Sequence, residues 1–267
     1  MKRLLFVTII SFFILAGCNS SNTGDKNEKQ ATKPEIAKQT EQKMQNEEQP
    51  AATNQTQQNL QEPNQAETTK RKGTKVLIIT PFGDMTALLY DETPQHRDNF
   101  LKLARSGFYD GTLFHRVIRG FMIQGGDPDS RDAAPGQRLG MGGPGYTIPA
   151  EFNPEFIHKK GALAAARTGG PSNPEKRSSG SQFYIVQGQK QNAAELNRIA
   201  SKTGAFYTGD QIQLYQDIGG TPSLDNDYTV FGEVIEGLEV IDMIASVRTA
   251  PGDRPLEDVS MRIKVLD

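Results

Sequence analysis

A single cysteine, Cys18, serves the whole 267-residue chain, so no intramolecular disulfide and no cysteine-based metal cluster can form. The folded part must therefore be stable through its core alone. Net charge is scarce as well: 30 basic against 32 acidic side chains leave −2, which excludes the basic footprint of a nucleic-acid binder and the self-repelling surface of a strongly acidic protein. Three histidines, His96, His115 and His158, share no metal-ligand spacing, so neither metal nor cofactor is expected. Long apolar runs are missing too. The only candidate, residues 4–17, is short of the roughly 20 residues that a membrane-spanning helix needs. Large apolar residues are nearly absent from residues 19–72, which cannot bury enough surface to offset chain entropy. Repeats are absent.

What is present at the N-terminus is ordered as an export signal. Lys2 and Arg3 precede the apolar run, and Leu15-Ala16-Gly17 leads directly into Cys18. That tetrapeptide resembles the lipobox of bacterial lipoproteins, which implies cleavage after residue 17 and lipidation of Cys18. The alternative is an uncleaved anchor helix with an incidental cysteine, but acyl chains anchor without a helix. Either way the protein is expected on a membrane, outside the cytoplasm. Asn19 stands where inner-membrane retention would favour Asp, which tilts the expectation to the outer membrane. Residues 18–73 read as the lipidated cysteine and a polar linker. Eight basic and eight acidic side chains balance within 19–72. Such a coil reaches on the order of 40 Å.

The rest of the chain, 74–267, reads as one folded domain. Residues 76–80 and 85–90 are β-favouring runs around a Pro81-Phe82-Gly83-Asp84 turn. Thr93-Pro94 reads as an N-cap with proline in the first helical position, Phe100, Leu101, Leu103 and Ala104 as the apolar face, and Gly107 as the stop. Short strands are expected at 112–117, 121–124, 162–166, 182–186, 229–234 and 261–266, and a second helix at 238–246. Many short strands with Gly- and Pro-rich turns favour a mainly β barrel or sandwich. Residues 192–202 have helical character, 204–220 have no clear pattern, and 188–221 reads as a partly helical insertion. His96-Arg97-Asp98 imitates a kinase triplet without its phosphate loop. The glycines of 136–145 lack the ending of a phosphate cradle and read as an irregular loop near the site.

Residues 114–127, FHRVIRGFMIQGGD, resemble the signature of the cyclophilin peptidyl-prolyl isomerases. GSQFYI at 180–185, and Leu224-Asp225 leading to Val230-Phe231-Gly232, agree with it in order. The resemblance spans residues 74–267 apart from the insertion. It implies a closed eight-stranded antiparallel barrel capped by two helices, and acceleration of Xaa-Pro isomerisation. Partial double-bond character gives that bond a barrier of about 20 kcal/mol. A cation aimed at the prolyl nitrogen lowers it, because that lone pair accepts a hydrogen bond only when the amide is twisted.

The resemblance assigns the cation to Arg116, an always-charged directional donor; the bland reading is a surface ion pair. It places Phe121 and Met122 in the proline pocket, where plain core is the alternative. Gln124 and Gln182 would hold the substrate backbone, and Tyr184 and Leu224 would complete the apolar wall. Ala166 and Arg167 would act largely through their backbone. Arg167 stands where Asn is usual, Tyr228 where many members carry His, and Tyr184 where Phe is usual, adding a hydroxyl at the pocket rim. Around Ser223-Leu224 many members of the family it resembles carry a tryptophan that binds cyclosporin, and its absence here implies weak binding of that inhibitor. The expected partners are Pro-containing unfolded or exported polypeptides, and the expected state is a monomer. A binding module with incidental turnover is the rival reading, which has no need of the cation.

Overall fold

The computed structural model describes residues 71–266. The signal expected at 1–17, the lipidation expected at Cys18 and nearly all of the linker expected over 18–73 lie outside the described residues. β1 (Gly73–Thr80) and β2 (Gly83–Tyr90) form a hairpin whose ladder runs from Gly73–Tyr90 to Thr80–Gly83. The turn is therefore just Pro81-Phe82. The Phe82 N–H donates to the Thr80 hydroxyl, which donates to the Gly83 carbonyl at 2.7 Å. Gly83 takes φ +124°, a conformation that side chains resist.

α1 (Pro94–Arg105) buries Phe100, Leu101, Leu103 and Ala104, the face expected. It ends with Gly107 at φ +70°, where Phe108 N–H returns to the Leu103 carbonyl. The start differs from expectation. Thr93 is the N-cap residue, but its side chain caps nothing. Glu151, 55 residues away, accepts the backbone N–H groups of Gln95 at 3.1 Å and His96 at 2.9 Å instead.

The remaining strands are β3 (Arg116–Ile118), β4 (Met122–Gly125), β6 (Ala162–Ala165), β8 (Phe183–Val186), β9 (Val230–Glu236) and β10 (Arg262–Leu266). α4 (Leu238–Ala245) precedes the last of them. β5 (Thr147–Ile148) and β7 (Ser178–Ser179) make a separate two-stranded sheet that the sequence did not reveal. Within the insertion lie α2 (Ala193–Thr203) and α3 (Gly209–Asp217). The second is a helix that 204–220 had not suggested. The described residues thus carry four helices, the two expected caps and a pair in the insertion around Leu196, Tyr215 and Ile157, of which only the first was expected.

The main sheet is an open, curled half-barrel and not the closed barrel expected. Its order, β10-β1-β2-β9-β6-β8-β4-β3, leaves β10 and β3 as edges. The segments leading into those edges meet through one isolated bridge, Leu113–Ser260, and a few irregular bonds such as Phe114 N–H to the Val259 carbonyl at 2.8 Å. β3 is only three residues long, and its Val117 N–H is taken by the Asp253 carbonyl. Pro251 and Pro255, which have no N–H to give a ladder, flank that contact. The concave side holds the main core, where Phe100, Tyr109, Phe114, Phe183 and Phe231 pack with α1 and α4. Phe100 and Phe183 meet edge to face at 5.3 Å.

Candidate functional site

Strand alternation divides the signature residues between two faces. On β4 and β8, Ile123, Phe183 and Ile185 enter the main core, while Met122, Tyr184 and Val186 join a second cluster on the opposite face. Phe121, Leu224 and Tyr228 pack against that second cluster, where Ala162, Ala164 and Ala166 supply only methyl groups. Register then aligns a row across four strands: Arg116 opposite Gln124, Gln124 opposite Tyr184, Tyr184 opposite Ala164. A groove of about 850 Å³ opens over this row. Arg116, Phe121, Met122, Gln124, Ala166, Arg167, Tyr184, Leu224 and Tyr228 all line it. Gln182 lines an adjoining groove that shares Gln124, Ala166 and Arg167.

The polar side of the groove is a one-way hydrogen-bond relay. Arg116 donates to Gln124 Oε1 at 3.3 Å, Gln124 Nε2 to Gln182 Oε1 at 3.1 Å, and Gln182 Nε2 to the Gly142 carbonyl at 2.8 Å. Each amide is thereby oriented by the next. Arg116 Nε also faces Asp253 Oδ2 at 3.4 Å, and its second terminal nitrogen has no partner among the described residues. A held guanidinium with a free donor, beside the apolar Phe121 and Met122, can grip a proline ring and offer a hydrogen bond to its nitrogen. This chemistry needs no nucleophile.

Three side chains lie differently from what their types suggest. The Tyr184 hydroxyl is not at the pocket rim: the residue is 4 % exposed, and its O–H donates to His158 Nε2 at 2.9 Å behind the groove. The Arg167 guanidinium is folded away, donating to the Asp227 carbonyl at 3.0 Å and carboxylate at 2.7 Å while lying over the Tyr228 ring at 4.4 Å. Although burial pushes the Asp227 carboxyl up, Lys176 and Arg167 hold it below its usual range. His115, in the heart of the signature, is 4 % exposed and neither ring nitrogen has a hydrogen-bond partner among the described residues. Burial pushes its imidazole below the usual range.

Sequence reasoning missed one wall altogether. Residues 250–256 face 135–140 across the groove, and Arg254 staples the two segments by donating to the carbonyls of Ala134 and Gln137, both at 2.9 Å. The signal was there in Pro251, Gly252 and Pro255, but nothing local says which site such a loop will border. A second constellation looks chemical and is not: Glu151 meets His96 Nδ1 at 2.6 Å and His96 Nε2 meets the Ser178 hydroxyl at 3.0 Å. His96 and Ser178 are each 2 % exposed, so no substrate reaches this acid-imidazole-hydroxyl order; it ties α1 to β7.

The family model described as "Cyclophilin type peptidyl-prolyl cis-trans isomerase/CLD" matches residues 75–265. Among curated relatives, a Staphylococcus saprophyticus protein named "Putative peptidyl-prolyl cis-trans isomerase" is 38 % identical over 191 residues, covering 70 % of this chain and 88 % of its own. A Streptococcus pyogenes protein named "Putative bifunctional phosphatase/peptidyl-prolyl cis-trans isomerase" is 41 % identical over 212 residues, 76 % of this chain; the match spans only 41 % of that relative's length. Among solved structures, a Cryptosporidium parvum cyclophilin type peptidyl-prolyl cis-trans isomerase superposes with a TM-score of 0.53 at 26 % identity, covering 73 % of this chain and 99 % of its own.

Proposed function

Since the chain belongs to the cyclophilin-type peptidyl-prolyl cis-trans isomerases, we propose that Arg116 is its catalytic cation and that the enzyme works tethered to a membrane outside the cytoplasm. The observation that carries the first part is the row of Arg116, Gln124 and Tyr184 across neighbouring strands, with Met122 and Phe121 beside it in one groove. The proline ring sits on Met122, Phe121 and Tyr184. The Gln124–Gln182 relay holds the flanking backbone, and Arg116 donates to the prolyl nitrogen as the amide twists. Donation strengthens only in the twisted state, so it lowers the barrier rather than merely tightening binding.

The tether reading rests on Leu15-Ala16-Gly17-Cys18 and on the polar composition of residues 19–72. Its clients are unfolded or exported chains with exposed Xaa-Pro bonds. The deciding experiment measures isomerisation of an Ala-Pro-Phe peptide by the full-length protein and by Arg116→Ala. Loss of about 10²-fold in kcat/KM with retained fold is expected for removal of one preorganised donor. Undiminished turnover would remove Arg116 from the chemistry. Membrane-fraction release by Cys18→Ser tests the anchor separately.

A further inference from the structure

Behind the groove, one buried carboxylate collects four donors. Asp225, 4 % exposed, accepts the His158 backbone N–H at 2.7 Å and His158 Nδ1–H at 2.8 Å on Oδ1. On Oδ2 it accepts the hydroxyls of Tyr207 at 2.9 Å and Tyr215 at 2.6 Å. Both tyrosines belong to the inserted segment, Tyr215 on α3 and Tyr207 just before it. The other nitrogen of His158 accepts from Tyr184, whose ring lines the groove. A continuous buried path therefore runs from insertion to pocket wall.

Each member of the path has only one role open to it. A carboxylate can only accept, so the His158 proton must sit on Nδ1, which leaves Nε2 to accept from Tyr184. Burial and the Asp225 charge push the Tyr207 and Tyr215 hydroxyls far above their usual range, keeping both as donors. His158 and Tyr215 are fully buried, so neither can turn away without orphaning a polar group. The His158 ring also lies nearly parallel to Tyr184, at 6.0 Å and 14°. Leu224, another groove residue, directly precedes Asp225 in the turn Pro222–Leu224. Gly220 lets the insertion close on this path: a Cβ there would stand 2.3 Å from the His158 carbonyl and 2.5 Å from the Tyr215 ring.

We propose that Asp225 and Tyr215 are positioning residues for the proline pocket: through His158, the α2–α3 insertion holds the Tyr184 ring and so sets how tightly the pocket grips proline. This rests on the groove being the isomerase site. The test is a double-mutant cycle in the full-length protein with an Ala-Pro-Phe peptide, resolving KM from kcat, for wild type, Tyr215→Phe, Tyr184→Phe and the double variant. Tyr215→Phe removes one hydroxyl and nothing that touches substrate. It should raise KM about three- to ten-fold with kcat held within about two-fold. In the Tyr184→Phe background, where the path is already cut, the same change should move KM less than about 1.5-fold. Equal rises in both backgrounds, or an unmoved KM alongside a lowered melting temperature, would overturn the proposal and leave the isomerase site standing. Absence of turnover in the wild type would overturn both. Should Tyr215→Phe not fold, Tyr207→Phe, at the edge of the same carboxylate, completes the cycle with the same two outcomes.

Discussion

Glu151→Ala should destabilise the domain far more than an ordinary loop substitution. In the native fold that carboxylate caps α1 through Gln95 N–H and His96 N–H and receives the His96 ring at 2.6 Å. The two backbone bonds act as a borrowed N-cap, worth about 1 kcal/mol and aided by the helix dipole. The ring bond to a charged acceptor adds roughly 1.5–2 kcal/mol, because its loss leaves a buried nitrogen of His96 unpaired. Together they come to about 3 kcal/mol, or roughly 6–12 °C in melting temperature for a domain of this size. Burial pushes the Glu151 carboxyl up, but the His96 and Gln95 hydrogen bonds outweigh it and hold the group below its usual range. A depressed native pKa means the unfolded chain takes up the proton first. The stabilisation is therefore complete above about pH 4.3 and is lost as pH falls through the native value. Circular-dichroism melts of both proteins at several pH values between 7 and 3 check this. The gap should narrow toward pH 3. A gap of under 2 °C at pH 7, or one that stays constant with pH, would refute the capping role.

Two further perturbations follow from the groove walls. His115→Leu replaces an imidazole with no partner among the described residues by an apolar group, so stability at pH 7 should hold or rise by up to about 1 kcal/mol. Below about pH 6.5 the unfolded wild type gains a proton that the buried ring refuses, so in chemical denaturation the variant's advantage should grow by up to about 1.4 kcal/mol per pH unit. An advantage that shrinks toward acid pH would contradict the unpaired reading. Arg254→Ala cuts the bonds from 250–256 to 133–137, and amide exchange in 133–137 should speed up while the peptide KM rises several-fold. Unchanged exchange would mean that the loop is held by other contacts.

How far the sequence carried depended on the range of the interactions involved. Phe121, Met122 and Gln124 were placed at the site by the resemblance of one contiguous motif to a known family, and the helix face of Phe100 to Ala104 was legible from spacing alone. The α3 helix was missed although its capping box, Thr208 with Gln211, was written locally. A segment ending in Ile218-Gly219-Gly220 looked like loop. Closure of the barrel could not be read, because it turns on whether the residues before β3 and β10 form a ladder or a single bridge. The pairings Glu151–His96 and Asp225–His158, 55 and 67 residues apart, likewise appear only once the chain has folded. The Tyr184 hydroxyl was placed at the pocket rim for the same reason: its partner His158 comes from another segment.

The way the chain enters the sheet also gives the domain a mechanical property. Arg71 rests over the Tyr90 and Phe156 rings at 5.0 and 4.7 Å, and the next element, β1, is bonded along its length to β2 on one side and to β10 on the other. A pull transmitted through residue 72 runs parallel to β1 and loads both ladders together in shear, where an edge strand drawn sideways would peel one bond at a time. If residues 19–72 tether the domain as proposed, entry through a strand paired on both sides should let the point of attachment bear tension.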